Sequence, residues 1–192
     1  MGISTGKKIN CAVFISGTGS NLKSIIKHSK KRKFPIKVTL VLSNNPKAKG
    51  IDFAKKDKID FKIIKNKNMN LFEKKTHQQL IKKKIELICL AGFMKILSAR
   101  FIKNFKGKIL NIHPSLLPKY KGLNTHLRAI KNKEKYSGCT VHFVTTKLDS
   151  GKIILQKKVR IKKRDTKFTL QKRILKEEHL LYPKAINYTF KN

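Results

Sequence analysis

The sequence predicts an α/β fold: an open, mostly parallel sheet with helices on both faces. Three observations carry this expectation. Short apolar runs alternate with helix-periodic segments over the first two-thirds of the chain. The runs are nearly continuous in apolar residues, as strands buried on both faces require. Turn-forming clusters, SGTGSN, SNNPKAKG and HPSLLPKYKG, follow three of the runs. At 192 residues, with 40% hydrophobic residues, the chain suits one cored domain and is short for two.

Taken in order, residues 9–15 (INCAVFI) are a buried strand, SGTGSN a tight turn, and LKSIIKHS the start of a helix. Residues 36–42 (IKVTLVL) form the second strand, and Pro46 opens a short helix that runs to Lys56. FKII at 61–64 is the third strand. Leu71 to Lys83 is a helix whose all-lysine last turn suits the negative end of its dipole. Residues 85–91 (IELICLA) are a strand ended by Gly92, Leu97–Phe105 a short helix, and 108–112 (KILNI) another strand. A long loop follows, HPSLLPKYKGLNTH, then a weak helix from Leu127 to Asn132. Thr140–Thr145 and Lys152–Ile161, joined through LDSG, are close enough to pair as an antiparallel ribbon. A helix from about Thr166 to Leu181 ends before Pro183, with a last short helix beyond. The reading gives a single unit over residues 8–192 and a flexible N-terminus over residues 1–7.

Charge is the dominant feature of the composition. Lys plus Arg is 47 against 10 Asp plus Glu, a formal net charge of +37. Only six of the basic residues are Arg, and the Lys are spread along the whole chain. Base reading and bidentate phosphate clamping favour Arg, so a solvated basic surface is the better reading than a nucleic-acid-binding module. Cys11, Cys89 and Cys139 sit singly in apolar runs, with no metal-ligand spacing, and read as buried thiols in a reducing compartment. No apolar leader and no membrane-length apolar stretch is present, so the expectation is a cytoplasmic protein.

Three places carry potential chemistry. Ser16-Gly17-Thr18-Gly19-Ser20-Asn21 joins a strand to a helix, where glycines allow close approach and free N–H groups attract an anion. The dinucleotide fingerprint is incomplete. Its third glycine position is Leu22, and no acid occurs between Asn21 and Asp52. A monophosphate fits better than a dinucleotide, and an ordinary tight turn would use the same residues. Asn111 and His113 end a strand and share one of its faces, with Ile112 pointing to the core between them. The pair suits oxyanion stabilisation and proton transfer, against the alternative of a histidine merely satisfied at a loop start. Asp149, in KLDSG, either caps its own turn or orients His113 and favours its charged form. His28 and His77 read as surface residues and His142 as packed in a strand, while His126 is placed to line a cleft.

ISGTGSNL at 15–22, LAGFMKILS at 90–98, NIHPSLLPKYKG at 111–122, TVHFV at 140–144, LDSGKIILQ at 148–156 and EEHLLYP at 177–183 resemble the phosphoribosylglycinamide formyltransferase family. These are folate-dependent enzymes of purine synthesis. The resemblance implies a Rossmann-like sheet of seven strands in the order 3-2-1-4-5-6-7, the sixth antiparallel. It implies that Asn111, His113 and Asp149 are catalytic, and that Gly19, Ser20 and Asn21 hold the substrate 5′-phosphate. It places Glu178 at the glycinamide end or its ribose. It assigns Met94, Lys95, Ile96 and Leu97, with Asn111, Val144 and Asp149, to the folate cleft, and Ser115 to about Lys133 to a mobile flap. The implied co-substrate is 10-formyltetrahydrofolate and the acceptor is glycinamide ribonucleotide. No metal, specific nucleic acid or membrane is implied, and the assembly is a monomer or homodimer. The chain departs from the family pattern at Ser150, where Gly is frequent, and at Lys167 and Phe168, where an acid is frequent.

The chemistry so implied is direct attack of the glycinamide amine on the formyl carbon. Asn111 and protonated His113 stabilise the oxyanion, while Asp149 orients His113 and binds the water that relays the amine proton. Methionyl-tRNA formyltransferases share the catalytic loop but carry an extra C-terminal domain, for which 192 residues leave no room. Formyltetrahydrofolate hydrolases carry a domain ahead of the first strand, which here begins near Ile9.

Overall fold

The computed structural model describes residues 7–65 and 68–190. The elements in chain order are β1 (Ile9–Ile15), α1 (Ser20–Ser29), β2 (Ile36–Ser43), α2 (Ile51–Lys56), β3 (Phe61–Ile63), α3 (Met69–Lys82), β4 (Leu87–Leu90) and α4 (Ala99–Asn104). They continue as β5 (Lys108–His113), α5 (Thr125–Lys131), β6 (Tyr136–Phe143), β7 (Ile153–Arg160) and α6 (Lys167–Phe190). Except for Lys7, the segment expected to be a flexible N-terminus lies outside the described residues.

All seven strands join one sheet in the order β3-β2-β1-β4-β5-β6-β7. β1 pairs in parallel with β2 and β4, and β4 with β5, while β6 runs antiparallel to both β5 and β7. The reversed strand, β6, is the antiparallel sixth strand that the family resemblance implies. Side chains alternate across the sheet. Cys11, Val13 and Ile15 of β1 enter a core shared with α1, α2 and α6, whereas Ala12 and Phe14 enter one shared with α3 and α4. This is why β1 reads as a continuous apolar run. Each fully buried large side chain contributes about 1.5–3 kcal/mol.

Three expected boundaries move by four or more residues, each for a local reason. Pro46 lies in a turn and α2 begins only at Ile51. Asn45 Oδ1 accepts from Lys47 N (3.0 Å), and Gly50 N donates to Gly17 O (3.0 Å), which holds the chain in turns against the β1 loop. β6 starts at Tyr136 rather than Thr140, because Ser137 and Gly138 extend the ladder opposite Val159 and Lys158. α6 does not stop at Leu181 but continues through Pro183 to Phe190. A proline leaves the carbonyl four residues earlier without its helical donor. Here that carbonyl, His179 O, accepts from the Ser24 hydroxyl of α1 at 2.5 Å. Tyr182, fully buried, places its hydroxyl against Leu90 O (3.1 Å) and Leu110 O (3.0 Å), fixing α6 beneath β4 and β5.

Among the described residues, no helix is long and apolar enough to cross a membrane.

Candidate active site

Open parallel sheets gather ligands at the carboxyl ends of their strands. In this chain the loops leaving β1, β2 and β4 are bonded to one another there. Ser16, just past β1, donates its hydroxyl to Asn44 Oδ1 (2.6 Å) and accepts from Met94 N (2.8 Å), while its own N–H reaches Gly92 O (3.2 Å). Asn45 Nδ2 donates to Ser16 O (2.9 Å). Ser16 was read only as the first residue of a turn, yet it ties three loops together.

The phosphate-loop expectation meets a definite geometry. Gly19 is left-handed (φ 72°) and precedes α1, whose first turn has neither a side-chain cap nor an acidic residue. The first N–H groups of a helix have no intrahelical partner. Those of Ser20 and Asn21 therefore remain donors at the positive end of the dipole. Gly19 is required for a second reason: a Cβ there would sit 2.5 Å from Gly50 Cα. Any side chain at Gly19 would break the packing of the two turns.

Asn21 does more than present its backbone. Its Nδ2 donates to Glu178 Oε2 of α6 at 2.6 Å, which sets the acid expected at the ribose or glycinamide end beside the loop that follows β1. Asn21 Oδ1 and His179 Nε2 are buried and make no hydrogen bond within the protein. Burial pushes the Glu178 carboxyl up to about 7, and the Asn21 amide offsets this only in part. The folded chain thus holds this proton more tightly than the unfolded chain, whose ordinary value is 4.5. The folded state loses stability as pH rises from the ordinary value through the raised one. Glu178→Gln is therefore expected to stabilise the protein by at most about 3 kcal/mol near pH 8, with little effect near pH 5. Urea unfolding at the two pH values checks this, and a variant less stable at both would refute it.

The catalytic expectation centres on β5. Asn111 pairs opposite His142 of β6, and His113 opposite Thr140. Asp149 follows in the β6–β7 turn in a left-handed conformation (φ 44°). That turn is tight because Gly151 lies against Phe143, where a Cβ would come within 1.8 Å of its carbonyl oxygen. The three predicted residues converge. Asn111 Nδ2 lies 3.5 Å from Asp149 Oδ1, and His113 Nδ1 lies 3.4 Å from Asp149 Oδ2. His142 joins them, with Nε2 3.2 Å from Asn111 Nδ2 and 3.6 Å from Asp149 Oδ1. Its Nδ1–H donates to Phe143 O (2.8 Å), which turns Nε2 toward Asn111 and Asp149. His142 was read as a packed strand residue. The register opposite Asn111 is the signal that would have found it.

Backbone from the long loop completes the cluster. His113 Nε2–H donates to Tyr120 O (2.9 Å), and Gly122 N–H donates to Asp149 Oδ2 (2.9 Å). Burial lowers the His113 pKa below its ordinary value. The Tyr120 carbonyl and Asp149 pull it up, and the charges of His142 and Arg128 push it down. Burial also raises the Asp149 carboxyl, but the His142 ring, the Gly122 N–H and His113 outweigh it and hold Asp149 below the ordinary carboxylate range. His126 is buried on α5 and lowered to about 4, first by burial and then by the charges of Lys167 and His113.

The segment assigned to a folate cleft follows β4. Met94 and Ile96 are 71% and 72% exposed, and Leu148, beside Asp149, is 51% exposed. Large apolar side chains this open, flanking a polar cluster, suit a flat apolar ligand. Leu97 is buried. The next residue, Ser98, is gripped by the buried Glu73, which accepts from its N–H (2.7 Å) and hydroxyl (2.6 Å). Glu73 was not singled out in the sequence. Val144 N donates to Ile109 O (2.8 Å), so this residue can offer a ligand its carbonyl but not its N–H. The Ser150 departure has a structural use, since its hydroxyl accepts from Lys121 Nζ (2.5 Å) and donates to Leu148 O (2.8 Å). Phe168 stands 70% exposed in the first turn of α6, and nothing in the structure explains that substitution.

A family model described as formyl transferase matches residues 9–186. The chain is 43% identical over 185 residues to the phosphoribosylglycinamide formyltransferase of Haemophilus influenzae, covering 95% of this chain and 86% of that protein. It is 42% identical over 183 residues to the human trifunctional purine biosynthetic protein adenosine-3, covering 94% of this chain but only 18% of that much longer protein. The crystal structure of phosphoribosylglycinamide formyltransferase from Brucella melitensis shares the fold with a TM-score of 0.91 and 40% identity, covering 97% of each chain.

Proposed function

The chain belongs to the formyl transferase family, and from that premise we propose that it transfers the formyl group of 10-formyltetrahydrofolate to the primary amine of 5′-phosphoribosylglycinamide in purine synthesis. The observation that carries the reading is the convergence of Asn111, His113 and His142 on the Asp149 carboxylate, at the sheet edge that also holds an uncapped helix N-terminus.

The folate supplies an electrophilic formyl carbon. Attack by the amine puts negative charge on the formyl oxygen and positive charge on the nitrogen. Asn111 Nδ2 and His113 Nδ1 both face Asp149, so two donors and one acceptor share the same neighbourhood. The donors serve the oxygen and the carboxylate takes the amine proton, directly or through a water. The intermediate then collapses as the formyl C–N10 bond breaks, and that proton passes to N10 so that tetrahydrofolate leaves as a neutral amine. Asp149 is held ionised for that task. His113 donates from Nδ1 only when that nitrogen carries a proton, because its Nε2–H is committed to Tyr120 O. His142 fixes the Asn111 amide from its other side. The α1 N-terminus binds the phosphate, Glu178 the ribose or glycinamide end, and Met94 to Leu97 with Leu148 flank the pterin. The rate gain comes from holding two substrates together and from preset charge.

The direct test is formyl transfer by purified protein from 10-formyltetrahydrofolate, with glycinamide ribonucleotide, initiator methionyl-tRNA or no acceptor. Transfer to the ribonucleotide is expected. Formylation of the tRNA, or release of formate with no acceptor, would replace this reading. The phosphate assignment has its own test in Ser20→Asp. A carboxylate in the first helical turn suits the dipole, so stability should not fall. The same charge occupies the anion site, and KM for the ribonucleotide should rise by at least about tenfold. KM for the folate should stay within about twofold. An unchanged ribonucleotide KM would remove the phosphate from this loop.

A further inference from the structure

We propose that Arg128 is a positioning residue for catalysis: from α5 it locks the backbone of residues 120–123 so that Tyr120 O and Gly122 N–H meet His113 and Asp149. The inference rests on the formyl-transfer reading above for its kinetic consequences and on geometry alone for its structural ones.

Two polar atoms of the catalytic cluster, His113 Nε2 and Asp149 Oδ2, are hydrogen-bonded by loop backbone. The two contacts come from residues two apart, so both require one fixed loop conformation. That conformation is not intrinsically favoured. Tyr120 is left-handed at φ 56°, a region costly for a bulky side chain. Something outside the loop must hold it.

Arg128 is placed to do so. Its Nη1 donates to Lys121 O at 2.7 Å, the carbonyl lying between the two catalytic contacts, and reaches Leu123 O at 3.5 Å. Its guanidinium lies over the Tyr120 ring, 5.2 Å from the centroid. The Tyr120 hydroxyl is held in turn by Glu134 Oε1 (2.9 Å) and Asn132 Nδ2 (2.9 Å). Arg128 itself is set by α5, which is anchored through buried Thr125, His126 and Ala129. A planar, multi-donor cation can grip a carbonyl and stack on a ring at the same time, which a lysine cannot reproduce.

The guanidinium also acts on His113 through charge. The groups facing that ring are Asp149, the Tyr120 carbonyl, His142, Arg128 and, from α5, His126. Arg128 is among those that disfavour its protonation. Removing the charge should raise the His113 pKa, whereas removing the grip should loosen the loop.

The test compares wild type, Arg128→Gln and Arg128→Lys in three measurements: kcat and both KM values across pH, the NMR titration of the His113 ring, and hydrogen exchange of the Gly122 amide. For Arg128→Gln the limiting kcat, taken where His113 is fully protonated, should fall about tenfold, the loss of one charged hydrogen bond. Both KM values should stay within about twofold. The His113 titration should move to higher pH, and Gly122 should exchange about tenfold faster. Arg128→Lys keeps the charge, so the titration should stay in place while only part of kcat returns. A limiting kcat within twofold of wild type, or unchanged Gly122 exchange in Arg128→Gln, would overturn the proposal. If the wild-type protein transfers no formyl group, the functional reading fails. The His113 titration and Gly122 exchange then still decide whether Arg128 sets the loop.

Discussion

His113→Ala is expected to lower kcat by about 10²–10⁴-fold, the usual cost of losing a general acid–base group. KM for either substrate should change by no more than severalfold, because the charge that His113 meets develops only during reaction. The ring is buried and held from both sides, by Tyr120 O at Nε2 and Asp149 Oδ2 at Nδ1. Its removal deletes one donor while Asp149 keeps Gly122, His142 and Asn111 as neighbours. The fold should therefore persist, and circular dichroism together with the melting temperature checks this. The pH profile adds a second criterion. Burial lowers the His113 pKa, so wild-type kcat should decline with rising pH along a limb set by this group, and the variant should lose that limb. Near-wild-type turnover would end the assignment. Retention of the limb would show that His113 does not set it.

The sheet was legible because each parallel strand is covered on both faces, and the loss of alternation this causes is visible in INCAVFI and IKVTLVL. Elements whose form depends on distant partners were less legible. Pro183 reads as a helix end in sequence. The carbonyl it leaves without a helical donor is satisfied by the Ser24 hydroxyl, far away in α1, and α6 continues through it. Pro46 reads as a helix start, yet Asn45 and the approach of Gly50 to Gly17 hold that stretch in turns.

The site divides in the same way. Asn111 and His113 follow from period two on one strand, and Gly19 from a loop between strand and helix. His142 does not follow, because its role depends on the register between β5 and β6. Glu73 and Ser16 act on the loop after β4 from other parts of the sheet edge, and their hydrogen bonds leave no local pattern. In a chain of charge +37, the burial of Glu73, Asp149 and Glu178 is informative in itself. Each of these carboxylates is held by a donor on another element, Ser98, Gly122 and Asn21 respectively.

Asp149→Asn is expected to cost kcat about 10²–10⁴-fold while leaving the turn intact. The shape is kept, Asn tolerates the left-handed conformation at this position, and its carbonyl oxygen can still accept from Gly122 N–H. The charge is lost, and with it the acceptor for the amine proton and the neighbour that favours His113 as the imidazolium. The His113 pKa, already lowered by burial, should fall further, moving the declining limb of the pH profile to lower pH. That direction is opposite to the shift expected for Arg128→Gln, so the two variants bracket the electrostatics of one ring. Asp149 and His113 are 3.4 Å apart and serve the same charge redistribution, so their losses should not multiply. In a double-mutant cycle on kcat at saturating substrates, His113→Ala/Asp149→Asn should cost far less than the product of the single losses. Once the ring is gone, the carboxylate has no imidazolium to favour. Strictly multiplicative losses, with all variants folded, would mean that Asp149 acts on the amine alone and that its contact with His113 does not matter to the reaction.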